Sequence, residues 1–258
     1  MIVTTTSKPS ARALEQAGRL AAELASPLRA RGNLTVSKLL TLSQDKKLIV
    51  VTEEVVRFYD GQSETPLYFH PSMAFVRVKR LRRGETDPLI QLSGCEDGDR
   101  VIDCTAGLAS DSLVFSYAAG PKGSVTAIES EPVLCAIVRE GLAGYRTSLA
   151  DVDEAMRRIE MKCMNHLDYL TGLPDKSADI VYFDPMFRQP INESSSMEPL
   201  RAIANMDALS NEVIEQAKRV ATKTVVLKEH QASGEFARLG FERRHVNTSK
   251  IAYGVIQL

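Results

Sequence analysis

No stretch of the 258-residue chain approaches the roughly 18 consecutive apolar residues of a membrane helix, and the opening MIVTTTSKPSARALEQ lacks the basic-then-apolar layout of a secretory signal. The reading is therefore a cytoplasmic protein with no membrane partner. Cysteine is scarce: Cys95, Cys104, Cys135 and Cys163 stand apart without C-x-x-C spacing, which favours buried free thiols over disulfides or zinc. The four histidines show no H-x-x-x-H or similar ligand spacing, so no metal site is expected. A G-x-G-x-x-G phosphate loop is missing too, which weakens a nicotinamide-dependent oxidoreductase. A net charge of −1 gives no bulk sign of a nucleic-acid partner, and no repeat or low-complexity tract interrupts the chain.

What is present is an ordinary globular composition, 44% hydrophobic and 25% charged, on a chain long enough for one α/β unit and a small appendage. Its most informative stretch is Val101 to Asp111, VIDCTAGLASD. An apolar strand runs into Asp103, a turn of small residues follows, and Asp111 stands at the head of a helical pattern. In an open α/β sheet that arrangement presents backbone N–H groups and a carboxylate to a ligand, and Gly107 admits the ligand close to the backbone. The alternative reading of Asp111 is a plain helix cap. A second buried strand, Ser124 to Glu129, ends in an acid that can accept both hydroxyls of an adenosine ribose. A third, within Asp179 to Phe187 (DIVYFDPMF), ends in a turn suited to holding a planar amino group. There Asp184 can accept from the amine, Pro185 fixes φ and with it the neighbouring carbonyl, and Phe187 offers a stacking face.

In chain order, helices are expected at Ser10–Ser26 and Val36–Leu42, and short strands at Lys47–Val51, Val55–Tyr59 and Leu67–His70. In the first helix the apolar face is Leu14, Ala17, Ala21 and Leu24. Residues 1–90 are read as a small N-terminal α+β domain and basic linker, forming a cleft wall or a substrate holder. The linker carries FVRVKRLRRGE, in which Arg77, Arg80 and Arg83 are candidate phosphate contacts; a solvated face without a partner is the other reading. Residues 91–258 alternate strands (Arg100–Asp103, Ser124–Glu129, Ile159–Cys163, Asp179 onward, Thr224–Lys228) with helices (Asp111–Ala119, Pro132–Leu142, Ser148–Arg158, Asp207–Arg219). They close with a pair, Glu242–Val246 and Tyr253–Gln257. That alternation predicts a Rossmann-like, seven-stranded, doubly wound α/β sheet. Asn165, His166 and Asp168 fall on its ligand side. Lys228 is left between a substrate phosphate and an acid partner.

Together the three strand-end motifs resemble class I S-adenosylmethionine-dependent methyltransferases acting on an exocyclic nitrogen. DCTAGLASDS, Glu129, DPMF and the following VVLK resemble, more narrowly, the bacterial ribosomal small-subunit methyltransferase J family, which methylates a guanine N2 of 16S ribosomal RNA. The resemblance implies S-adenosylmethionine as cofactor. It places Ser110 and Asp111 against the cofactor after the first strand, Glu129 and Ser130 after the second, Asn165 and His166 near the adenine, and Asp184 between cofactor and substrate. It also implies RNA, small-subunit ribosomal RNA or its particle, as partner. The acceptors left open are DNA, transfer RNA, a protein amide or a small amine. A catalytically silent RNA-binding protein on the same fold is the remaining alternative.

Overall fold

The computed structural model describes residues 1–61, 63, 65–186, 207–245 and 250–258. The expected Phe187 and Val246 lie outside these residues. Near the N-terminus, β1 (Ile2–Thr5) runs parallel to β2 (Leu48–Val51), and β3 (Val56–Tyr59) pairs antiparallel on the other side of β2. Both β1 and β2 are buried throughout, which suits their β-branched runs IVTT and LIVV. Helix α1 (Ala11–Glu23) begins where Ser10 Oγ accepts the Ala13 N–H at 3.2 Å, and α2 (Val36–Leu42) is capped in the same way by Thr35. The buried face of α1 is Ala13, Ala17, Leu20 and Ala21, whereas Leu14 is exposed. Alanines let the helix lie close to the small sheet, so its stripe is turned from the expected Leu14-Leu24 line. The expected strand at 67–70 is reduced to one bridge, Leu67 to Phe58. Pro66 and Pro71 bracket this segment, and a proline cannot donate to a ladder.

The basic run lies on helix α3 (Ser72–Arg82), followed by the short α4 (Pro88–Ser93), which Asp87 caps by accepting the Leu89 N–H at 3.0 Å. The larger sheet then forms from β4 (Arg100–Asp103), α5 (Ser110–Ala119), β5 (Ser124–Glu129), α6 (Pro132–Gly144), α7 (Ala150–Arg157), β6 (Ile159–Cys163), α8 (His166–Thr171) and β7 (Ala178–Phe183). It is completed by α9 (Asn211–Val220), β8 (Ala221–His230), α10 (Glu235–Arg238), β9 (Glu242–His245) and β10 (Ile251–Gln257). Strand order is β6-β5-β4-β7-β8-β10-β9, with β10 antiparallel to both its neighbours. The parallel strands VID, VTAI and DIVYF are apolar runs because helices cover both faces. The order reverses between β4 and β7, and at such a switch point the connections diverge and leave a crevice beyond the carboxyl ends.

One apolar cluster spans the two sheets. Ala17, Leu20, Phe58 and Phe69 from the N-terminal part pack in the same cluster as Ile137, Val138 and Leu142 of α6. Phe69 lies so close to Gly141 that a β-carbon there would come within 2.2 Å of it.

Candidate active site

The carboxyl ends of β4, β5, β7 and β8 open on a cavity of about 290 Å³. Asp103, Gly107, Ser110, Asp111, Glu129, Ser130, His166, Asp184 and Pro185, all singled out from sequence, line it, and so does Arg77. Asn165 does not. Its side chain caps α8 by accepting the Leu167 N–H at 2.8 Å. Arg80 and Arg83 lie away from the cavity, each ion-paired with Glu85 on the surface.

The turn after β4 is shaped by two left-handed residues, Gly107 at φ 52° and Ala109 at φ 56°. A β-carbon on Gly107 would meet no protein atom within 4 Å, so the space beside this backbone is open on the cavity side. Asp103 is buried and accepts from Ser112 Oγ at 2.5 Å and from the Thr105 N–H at 3.2 Å. Burial pushes its carboxyl up to about 7, against those two donors. Thr105 Oγ1 in turn accepts the Asp184 N–H at 2.5 Å, which fastens the turn after β7 to the turn after β4.

Glu129, at the end of β5, accepts the Gly107 N–H at 3.1 Å on one oxygen and the Glu131 N–H at 2.9 Å on the other. Burial raises its pKa while these amides oppose the rise. A carboxylate has about four lone-pair positions, so this one is held in orientation and still able to accept a diol. Burial lowers the pKa of His166, against a hydrogen bond with the Cys104 backbone, and its ring stands edge-on to Phe183 at 6.1 Å.

The deepest feature is a buried chain of charges that local sequence did not reveal. Lys228, two residues before the end of β8, donates to Asp111 Oδ2 at 2.8 Å and to Asp184 Oδ2 at 2.6 Å. Tyr182 Oη donates to the same Asp111 oxygen at 2.7 Å, and Arg77 pairs with the other. Burial alone would raise the Asp111 pKa, but Lys228 and Arg77 hold it well below the ordinary carboxylate range. For Asp184, burial and the nearby Asp111 charge raise the pKa, opposed by Lys228. Burial would lower the Lys228 pKa; Asp111 and Asp184 outweigh it and keep the ammonium charged. The sequence had left Lys228 between two roles, and it is the acid-pairing one that the structure displays. Its position at a parallel strand's carboxyl end was the available signal.

Among the described residues no group of three or more His, Cys, Asp or Glu is placed to hold a metal ion, and no helix is long and apolar enough to cross a membrane. Cys95, Cys104 and Cys135 are buried and Cys163 is exposed, all as free thiols.

A seven-stranded sheet in this order, with a glycine turn after its first strand and a buried acid closing its second, defines a class I S-adenosylmethionine-dependent methyltransferase. Residues 34–246 match the family described as "Putative SAM-dependent methyltransferase", and the chain belongs to it. It is 39% identical to "Uncharacterized protein YpiP" of Bacillus subtilis (strain 168), over 99% of both chains. It is 32% identical to "Ribosomal RNA small subunit methyltransferase J" of Thioalkalivibrio sulfidiphilus (strain HL-EbGR7), over 55% of this chain and 57% of the relative. The Buchnera aphidicola subsp. Schizaphis graminum (strain Sg) protein of the same name is 34% identical over 50% and 51%. This chain thus spans about half the length of those two methyltransferase J relatives. The crystal structure of the SAM-dependent methyltransferase NGO1261 from Neisseria gonorrhoeae has the same fold, with a TM-score of 0.66 at 16% identity over 100% of this chain and 96% of that one. The cofactor is S-adenosylmethionine. The open glycine turn and the oriented Glu129 carboxylate suit it, and the family match sets the nicotinamide alternative aside.

Proposed function

We propose that the chain methylates an exocyclic base nitrogen, and that the acceptor is guanine N2 of small-subunit ribosomal RNA. The observation that carries the reading is Asp184. Its carboxylate is 27% exposed on the cavity wall, with its backbone N–H fixed by Thr105 and one oxygen held by Lys228. An amino group conjugated to a purine is a poor nucleophile. A fixed carboxylate that accepts from one of its N–H bonds turns the lone pair outward, and afterwards takes the proton the nitrogen must lose. Bound cofactor supplies an electrophilic methyl and a neutral leaving group. Glu129 would take the ribose diol, Ser110, Ser130 and His166 would line the remainder of the cofactor, the carbonyl region of Pro185 would accept from the amine, and Phe187 would stack on the base. Asn165, as a helix cap, would act only by holding His166 in place.

Support for the RNA acceptor comes from the methyltransferase J relatives, whose name states ribosomal RNA of the small subunit. Residues 1–90 act in this reading as a wall of the cleft, since Met73, Ala74 and Arg77 of α3 face the cavity. Arg80 and Arg83 would meet phosphates outside it. The test is methyl transfer by wild type and Asp184→Asn to unmodified 16S ribosomal RNA, free and in the small ribosomal particle, with DNA, transfer RNA and protein as competing acceptors. Transfer to the guanine amine of RNA, reduced at least about a hundredfold by Asp184→Asn while cofactor still binds, is the expected result. Transfer by Asp184→Asn at the wild-type rate would remove the assignment, and transfer only to another acceptor would replace the substrate.

A further inference from the structure

Helix α3 presents a continuous exposed face that runs outward from the cavity rim. Met73, Val76, Arg80 and Arg83 recur at three- and four-residue steps, so they lie along one side of the helix, opposite the buried Ala74 and Val78. Met73 is 67% exposed, the most of any large apolar side chain among the described residues, and Val76 is 48% exposed one turn on. Met73 nevertheless also lines the cavity that holds Asp184. The ridge therefore starts at the rim of the active site with two apolar side chains and ends, two turns away, in cations.

The backbone that delivers Met73 is held in an unfavourable conformation. Ser72 has φ 35°, in the left-handed region that residues with a β-carbon avoid. Its N–H donates to His70 Nδ1 at 3.0 Å, and the His70 ring packs edge-on against Tyr145 at 5.4 Å. Strain kept at a cavity rim by side-chain contacts is a mark of a segment whose position matters. At the other end, Lys79, Arg80, Arg82 and Arg83 crowd the last turn, with Glu85 and Asp151 as the acids paired to them, which leaves a net positive surface.

We propose that this ridge is where an unpaired nucleic-acid strand lies while its target base sits in the cavity. Met73 and Val76 cover the neighbouring bases at the gap in the stack, and Arg80 and Arg83 meet the phosphates beyond. The proposal rests on the nucleic-acid reading above and adds the surface that recognises the strand. An apolar side chain beside a splayed base replaces lost stacking without reading sequence, and arginines two turns on neutralise the backbone. Continuity with the Asp184 cavity and the positive far end favour a polyanionic strand over an apolar protein partner.

The experiment uses the full chain, a fluorescein-labelled single-stranded RNA of mixed sequence, and unmodified 16S ribosomal RNA as methyl acceptor. Beside Val76→Ala, which lies outside the cavity, the double variant Met73→Ala/Val76→Ala also changes Met73 at its rim. It should lower kcat/KM for RNA at least about tenfold, leave cofactor affinity within twofold, and leave the salt dependence of RNA binding as in wild type, because no charge is lost. Arg80→Ala/Arg83→Ala should instead reduce the slope of log affinity against log salt by up to about 1.4, the single-strand value for two phosphates. Wild-type transfer to RNA with an unimpaired Met73→Ala/Val76→Ala variant would overturn the ridge and leave the RNA reading standing. If wild type neither binds nor methylates RNA, or methylates a protein instead, the reading and the ridge fall together, and wild type alone reveals it.

Discussion

Arg77 and Asp87 form a two-pronged ion pair, in which Nε and Nη2 of the arginine donate to the two carboxylate oxygens at 2.8 Å each. Asp87 is also the cap of α4, and the remaining arm of Arg77 pairs with Asp111. One guanidinium thus ties α3, α4 and α5 together behind the cofactor turn. A planar fork of this kind has no equivalent in lysine.

Arg77→Met should therefore act on stability and not on RNA affinity as such. Leaving Asp87 and Asp111 without their shared cation should cost about 3 kcal/mol, measured as a lower urea midpoint with an unchanged slope. Arg80→Ala and Arg83→Ala remove exposed pairs and should stay within about 0.5 kcal/mol of wild type.

Lys228→Met should leave the fold intact at 25 °C but less stable by about 3 kcal/mol, since the buried Asp111 and the partly buried Asp184 lose their ammonium. The pH–rate profile should change as well. Lys228 opposes the upward push of burial and Asp111 on Asp184, so removing it raises that pKa further. The acid limb of the profile should move to higher pH, with Asp111, Arg77, Tyr182 and Tyr253 still facing the site. An unmoved limb would mean that Asp184 is not the group the rate reports.

Glu129→Gln should weaken S-adenosylmethionine binding about tenfold in a calorimetric titration, the loss of one charge-assisted acceptor. Gly107→Val should abolish measurable binding. The substitution imposes a strained left-handed conformation, costing on the order of 1–2 kcal/mol, and fills the open space beside the turn.

Acid stability should respond to Asp179. Its carboxylate accepts from the Arg100 N–H at 2.8 Å, from the Arg100 guanidinium at 3.1 Å and from Thr222 Oγ1 at 2.8 Å. These partners, Arg100 first, lower its pKa from 3.8 to about 2. The folded value lies below the unfolded one, so the stabilisation is present above pH 3.8 and lost as pH falls toward 2. Asp179→Asn should cost about 1 kcal/mol at pH 7, because solvent at the half-exposed Arg100 screens the pair, and flatten the pH dependence of the urea midpoint between pH 4 and 2.

The cavity-lining strand ends were legible because each feature is local. VIDCTAG, SVTAIE and YFDPM each carry strand, turn and acid within a few residues, and the sheet brings such strand ends together by rule. The charge chain was not legible, because Lys228 meets Asp111 across 117 positions and Asp184 across 44. No periodicity encodes a meeting at that separation. Arg77 neighbours Arg80 and Arg83 in the chain, and what sets it apart is its partners: Asp87 and Asp111 hold it at the cavity, whereas Arg80 and Arg83 pair with Glu85 on the surface. β1 escaped for a similar reason: Ile2–Thr5 pairs in parallel with residues 48–51, with no hairpin turn to announce it. Asn165 stands one position before the cavity-lining His166, and its side chain caps α8.

The close seat of Phe69 against Gly141 carries a constraint on how this chain can vary. Position 141 lies in α6 and position 69 in the segment leading into α3, so two distant stretches must change as a couple. A methyl at 141 would be admitted only with a smaller side chain at 69, and that exchange would loosen the segment from which His70 steadies Ser72 and Met73. Grafting the first seventy residues onto another methyltransferase sheet would fail unless the recipient's helix brought the same notch.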